Sequence, residues 1–278
     1  MVADLVSTGC LLLLYAVAVM VATPLAVTRR RWTSRLPRLA IMIWIGALAS
    51  GCTAMLVSFG CTIGAAVALA HRPHGVREQV TWHSALNSFG ITAVACLATA
   101  VGGAMIGLVL YRAATGSLRR SHLRVRIAAA LGRRAAAPAR RVTTVVVDSE
   151  TRSAISVPGR RPVIVVSSQL RDLLTAAELR TVVEHERGHL LQRHHLLVQL
   201  ADLQYRCAPL LPCARALERS IHLLVELAAD DHAVRRCGAG LTARALRALG
   251  AANHDDGLRL RAQRIEARSS RGEVALGG

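Results

Sequence analysis

Apolar residues along this chain are gathered into blocks in its first part and distributed periodically in its second. Three blocks, residues 5–27, 39–65 and 87–111, contain no Asp, Glu or Arg, and each is long enough to cross the ~30 Å hydrocarbon layer of a bilayer. The first has no basic leader, begins next to Asp4 and runs into Arg29, Arg30 and Arg31, so it reads as a retained span rather than a cleaved signal. The second apolar run continues to about residue 70, too long for one straight span, and Gly51, Gly60 and Gly64 offer places for it to break. The third carries Gly102, Gly103 and Gly107, small residues that permit close helix packing.

Beyond residue 112 the pattern changes. Residues 112–141 form a basic Arg/Ala-rich linker, and β-branched runs at 142–148, 153–157 and 162–167 predict a small sheet. Helical periodicity follows, with an apolar patch at 196–211 that Asp202, Gln204 and Arg206 interrupt and that reads as a core or interfacial hairpin. The expected fold is an α-helical membrane protein whose second part is a mainly α (α+β) domain carrying a small β-sheet. Its expected divisions are 1–111 in the membrane, the linker at 112–141, a folded domain at 142–252 and a polar, disordered tail at 253–278, with scope for a short helix around 258–267.

Charge sets the expected orientation. Arg29, Arg30, Arg31, Arg35 and Arg38 lie between the first two spans, and Arg112, Arg119, Arg120, Arg124, Arg126, Arg133 and Arg134 follow the third, whereas the loop between the second and third holds only Arg72 and Arg77. The positive-inside rule then predicts a multi-pass protein of the cell membrane with its N-terminus outside and everything from Arg112 onward cytoplasmic.

Chemistry enters at His185-Glu186-Arg187-Gly188-His189. Thr175 and Glu178 form a capping box ahead of Leu179, Val182, Val183 and Leu190, which supports a helix through both histidines. Two imidazoles four residues apart project from one helical face and can bind one Zn²⁺, while the carboxylate between them can act on water there. An ordinary exposed His/Glu helix gives the same five letters, so context decides. A catalytic zinc keeps three protein ligands, and Glu226, 37 residues beyond His189, is the candidate third. Residues 217–235 have helical periodicity without Pro or Gly, so Asp230 shares the Glu226 face and could accept a hydrogen bond from a ligand imidazole; the plain alternative is a solvated acidic pair. Ala228 and Ala229 would let this helix approach the first closely. His222 is weighed as an oxyanion or metal neighbour against a structural or solvated role, and His194, His195 and His232 are expected to be surface or interfacial.

The pentad followed by Glu226-Leu227-Ala228-Ala229-Asp230 resembles the integral-membrane gluzincin peptidases, the M48 group (HtpX- and CAAX-protease-like) and the M56 group (BlaR1- and MecR1-like). Arg160 to Ser168, continuing into Leu170, Leu173, Leu174 and Thr175 to Leu179, is similar to the strand and helix that precede the motif in both groups, so the likeness covers about residues 140–236. It implies a gluzincin-type zinc metallopeptidase domain with one Zn²⁺ per chain on His185, His189 and Glu226, Asp230 behind a ligand, and Glu186 as the catalytic base. The implied substrate is a protein or peptide, which an edge strand such as 163–166 would hold in extended form. Three spans before the motif favour M56, in which the domain cleaves a repressor-like regulator; a misfolded membrane protein is the other substrate class. The chain departs from M56 in having no apolar stretch of ~18 residues after Asp230 and no Ser-x-x-Lys motif, which disfavours β-lactam sensing.

Composition sharpens the alternatives. Mean hydropathy is +0.38 and the net charge +18, yet every basic residue is Arg, and the 112–141 run has almost no aromatics to stack on bases. Anionic lipid headgroups are therefore the expected partner of these arginines, with no specific nucleic acid. The competing reading is a catalytically inactive membrane scaffold or an Arg-rich nucleic-acid-binding membrane protein, against which Glu186 and all three ligands stand. Cys10, Cys52, Cys61 and Cys96 lie in apolar blocks and the other three of the seven are placed in the cytosol, so no disulfide framework is expected.

Overall fold

The computed structural model describes residues 2–29, 32–70, 142–159, 162–210 and 213–272, plus single positions at 90, 93, 107 and 111. The expected third span and the basic linker otherwise lie outside the described residues. The chain divides into two compact units, the first holding most of the apolar helices and residues 203–217, the second Trp32–Arg38, the sheet and the remaining helices.

In the first unit, α1 (Val2–Arg29) and α2 (Pro37–Ala70) are long and apolar enough to cross a membrane. At ~1.5 Å per residue they are roughly 42 and 51 Å long. The contacts pair residues in opposite order: Ser58 Oγ donates to Gly9 O at 2.7 Å, and Tyr15 Oη donates to Ser50 Oγ at 3.3 Å, so the helices run antiparallel. The glycines expected to break the second span lie inside one continuous helix. A helical glycine costs ~1 kcal/mol, less than leaving backbone groups unbonded in an apolar setting. Gly51 and Gly64 instead face α1, where an added methyl would stand 3.7 Å from Met20 Cγ and 3.9 Å from Leu5 Cδ1. Leu11, Leu14, Met42 and Leu56 are each more than 60 % exposed, an apolar surface that water penalises and lipid does not. Trp44, nearly fully buried, donates Nε1–H to Gln204 Oε1 at 2.9 Å, which explains why residues 203–217, expected within the second domain, group with these helices.

The second unit begins with a three-stranded sheet in the order β1-β3-β2, where β1 is Thr143–Val147, β2 Ala154–Val157 and β3 Val163–Ser167. β1 runs parallel to β3, pairing Val145 with Val165, and β2 runs antiparallel to it, pairing Ile155 with Val165. Strand 163–166, expected at an edge, is therefore the middle strand, its Ile164 and Val166 buried, and β2 forms an edge. Helix α3 (Ser168–Leu173) adds Leu170, and α4 (Ala176–Leu191) lays Leu179, Val182, Val183 and Leu190 against the same cluster. The Thr175/Glu178 capping box is present as the sequence predicts, Thr175 N–H donating to Glu178 Oε2 at 3.1 Å.

Helix α5 (His194–Cys207) turns back after Arg193, whose φ of 50° breaks the α4 ladder, and α6 (Ala214–Cys237) follows, so most of the stretch expected as a hairpin, 196–207, is helix α5, and residue 211 lies outside the described residues. Gly238, at φ 88°, where a side chain would be strained, links α6 to α7 (Ala239–Ala252). Within the tail expected to be disordered, the short helix expected around 258–267 is longer and packed: α8 (Asp256–Ser270) is capped by Asp255 and buries Ala262 and Ile265 against Val234, Ala243 and Leu246, and residues 273–278 lie outside the described residues. Its Arg264 and Arg268 both bond Asp231, at 3.0 and 2.9 Å, so charge pairing supplies what its apolar content lacks.

Candidate metal centre

Helices α4 and α6 cross at Gly188. A Cβ there would lie 3.1 Å from His232 Cβ and 3.4 Å from Ala229 Cα, so the missing side chain, together with the small Ala228 and Ala229, lets the two backbones approach. That approach brings the Glu226 face of α6 opposite His185 and His189. Glu226 lies 3.4 Å from His185 Nε2 through Oε2 and 3.4 Å from His189 Nε2 through Oε1, and the two Nε2 atoms are 3.1 Å apart. These ligand-type atoms all lie within 4.8 Å of one another, a spacing one metal ion could bridge. The opposite ring nitrogens are already engaged: His185 Nδ1 meets Asp230 Oδ1 at 3.0 Å and His189 Nδ1 meets His194 Nδ1 at 3.0 Å. Both Nε2 lone pairs are thereby left for a metal, so the residues fit a zinc ion with three protein ligands.

Arg261 of α8 completes the wall. Its Nε and Nη2 donate to Asp230 Oδ2 and Oδ1 at 2.8 and 2.6 Å, and its Nη1 donates to Glu226 Oε2 at 2.9 Å. Sequence reasoning missed this residue, because it stands in a segment with little apolar periodicity. Burial alone would raise both carboxyls. The His185 hydrogen bond and the charges of His185 and Arg261 instead hold Glu226 at about 2, and Arg261 and His185 hold Asp230 well below the carboxylate range. Burial disfavours a charged His185, but its bonds to Asp230 and Glu226 outweigh that and raise it to about 9. Burial, then the His185 charge, lower His189 to about 4.

Glu186 points from the same turn toward β2, where Ser156 hydrogen-bonds it; burial pushes its carboxyl up, against the lowering pull of His185 and Ser156. β2 thus passes beside both the carboxylate and the ligand set. An open cavity of about 660 Å³ lies along it, bordered by Ser156, Val157, His189, Asp202, His222 and Glu226. A smaller one of about 190 Å³ lies toward the start of the strand, reached by Arg152, Ala154, His185, Glu186 and Arg261. His222 pairs with Asp202 at 3.1 Å, one helical turn from Glu226. His195 borders the larger cavity, and His232 is buried against Gly188, 3.5 Å from Glu184. His194, expected to be surface or interfacial, is 2 % exposed, since the turn at Arg193 folds the first residue of α5 back onto His189.

Against known proteins, the sequence model of peptidase family M48 matches residues 117–222. That stretch is a little over a third of the chain; it contains the pentad and stops short of Glu226 and Arg261. Neither a curated protein nor a solved structure matches. The likeness supports a metallopeptidase and leaves the third ligand candidate and its arginine partner to be argued from geometry.

Proposed function

We propose that this chain is a membrane-held, zinc-dependent metalloendopeptidase of the HExxH gluzincin type. The observation that carries the reading is the convergence of His185 Nε2, His189 Nε2 and the Glu226 carboxylate within 4.8 Å, both Nδ1 atoms already used, in a chain matched by the M48 model. Zinc bound there supplies Lewis acidity, polarising a scissile carbonyl and acidifying a water molecule. Glu186 takes the proton of the attacking water on its carboxylate and delivers it to the leaving amine nitrogen, and its raised pKa suits both halves of that task. Arg261 keeps Glu226 ionised, and Asp230 accepts from His185 Nδ1 and so aims its Nε2 at the metal position. The strand β2, an edge among the described residues, runs beside Glu186 and offers main-chain groups to an extended substrate, so selectivity comes from the side chains bordering the two cavities.

The finer parts of the reading rest on the sequence. The M56-like arrangement, the outside N-terminus and a cytosolic active site follow from three apolar blocks and the distribution of arginine. Regulated cleavage of a repressor-like or misfolded membrane protein follows from that likeness. Casein cleavage by the purified chain, stripped with a chelator and reloaded with zinc, tests the enzyme reading: activity lost and regained supports it, and cleavage indifferent to the chelator contradicts it.

A further inference from the structure

His189 has a bonding problem that its neighbour solves. A neutral imidazole carries one N–H, and a metal at Nε2 requires that the proton sit on Nδ1. His189 Nδ1 faces another ring nitrogen, His194 Nδ1, at 3.0 Å, with the rings nearly perpendicular at 87°. Two N–H groups cannot share that line, and two lone pairs repel along it, so one proton lies between them and its owner decides what His189 can do. If His194 owns it, the His189 proton moves to Nε2, into the space between Glu226 and the His185 Nε2 atom 3.1 Å away, and the ligand is blocked.

We propose that His194 is a positioning residue that accepts from His189 Nδ1–H and so locks His189 in the tautomer able to ligate; this rests on the metal centre proposed above. The lock is built into the fold. The left-handed turn at Arg193 presses His194 against His189, and the near-complete burial of its ring removes competing water. Asp230, a carboxylate that can only accept, performs the same service for His185. The two ligand imidazoles are thus held from behind by different chemistries, a charged acceptor from α6 and a neutral one from α5, and the neutral one adds no third negative charge beside Glu226 and Asp230.

The test uses the purified full chain. His194→Asn places an amide oxygen where Nδ1 stands, whereas His194→Leu fills much of the space without an acceptor. In competition with a chelator, the Leu variant is expected to lose about 10–100-fold in zinc affinity, and the Asn variant to recover most of that loss. Equal affinity for wild type and His194→Leu, or an Asn variant as weak as Leu, overturns the proposal. Independently of any variant, imidazole ¹⁵N shifts of the metal-free protein should show His189 protonated on Nδ1, and protonation on Nε2 overturns it. Wild type that binds no zinc would contradict the enzyme reading instead, and the ¹⁵N result would still decide the tautomer.

Discussion

Arg261 meets two carboxylates at once, Nε and Nη2 on Asp230 and Nη1 on Glu226, and its own charged form is favoured by both despite its burial. Asp230 is the fully buried member of this set, and removing Arg261 leaves its charge uncompensated. Arg261→Met, which keeps much of the volume, should therefore lower stability by about 3–5 kcal/mol in denaturant unfolding. The same variant should bind zinc about 10–100-fold more weakly; unchanged affinity would mean that Glu226 needs no support. The metal-free site also has a pH signature. The folded pKa of His185 is raised from 6.5 to about 9, so its contribution to stability is fully present below 6.5 and is lost as pH rises through 9. Glu226 is depressed from 4.5 to about 2, so its contribution is present above 4.5 and is lost as pH falls toward 2. The melting temperature of the chelator-treated protein should accordingly fall between pH 6.5 and 9, and a flat profile there would contradict the His185 pairing.

At the scale of elements, the site depends on how closely α4 and α6 approach. Gly188→Val would place branched carbon against His232 and Ala229, overpacking that typically costs about 1–3 kcal/mol, and should weaken zinc binding by displacing Glu226; undiminished zinc affinity would show that the approach is not what sets the ligand geometry. The helix that carries Arg261 is equally exposed to test. A chain ending at residue 254 loses α8 and uncovers Val234, Ala243 and Leu246, and it should lose cooperative unfolding of the second unit; a sharp, unshifted transition would contradict that role for α8. The contrast between what the sequence revealed and what it hid follows from range. The capping box, the i,i+4 histidines and the shared face of Glu226 and Asp230 are set by spacing within one helix, which sequence states directly. His194 depends on a backbone turn at Arg193, and the place of 163–166 in the middle of the sheet depends on its parallel pairing with β1, which lies beyond a hairpin. α8 was legible only as a short helix around 258–267, because Ala262 and Ile265 are its buried apolar residues, with Leu258 partly buried beside them, and its anchors are arginines, which hydropathy scores as solvent-facing.

For the whole molecule, two described helices of membrane-spanning length with apolar outer faces fit retention in a bilayer, and carbonate washing of membranes should leave the chain in the pellet. A reporter fused after Ala139 should register as cytosolic, and an extracellular signal there would reverse the proposed orientation. Both outcomes concern where the chemistry happens. The central claim, that Glu186 drives peptide hydrolysis at a zinc held by His185, His189 and Glu226, is tested most directly by comparing wild type with Glu186→Gln for bound zinc and for casein cleavage. Both should hold one zinc per chain, and the variant should lose cleavage by about 10²–10⁴-fold. Wild type without zinc, or a variant that cleaves as fast as wild type, would contradict it.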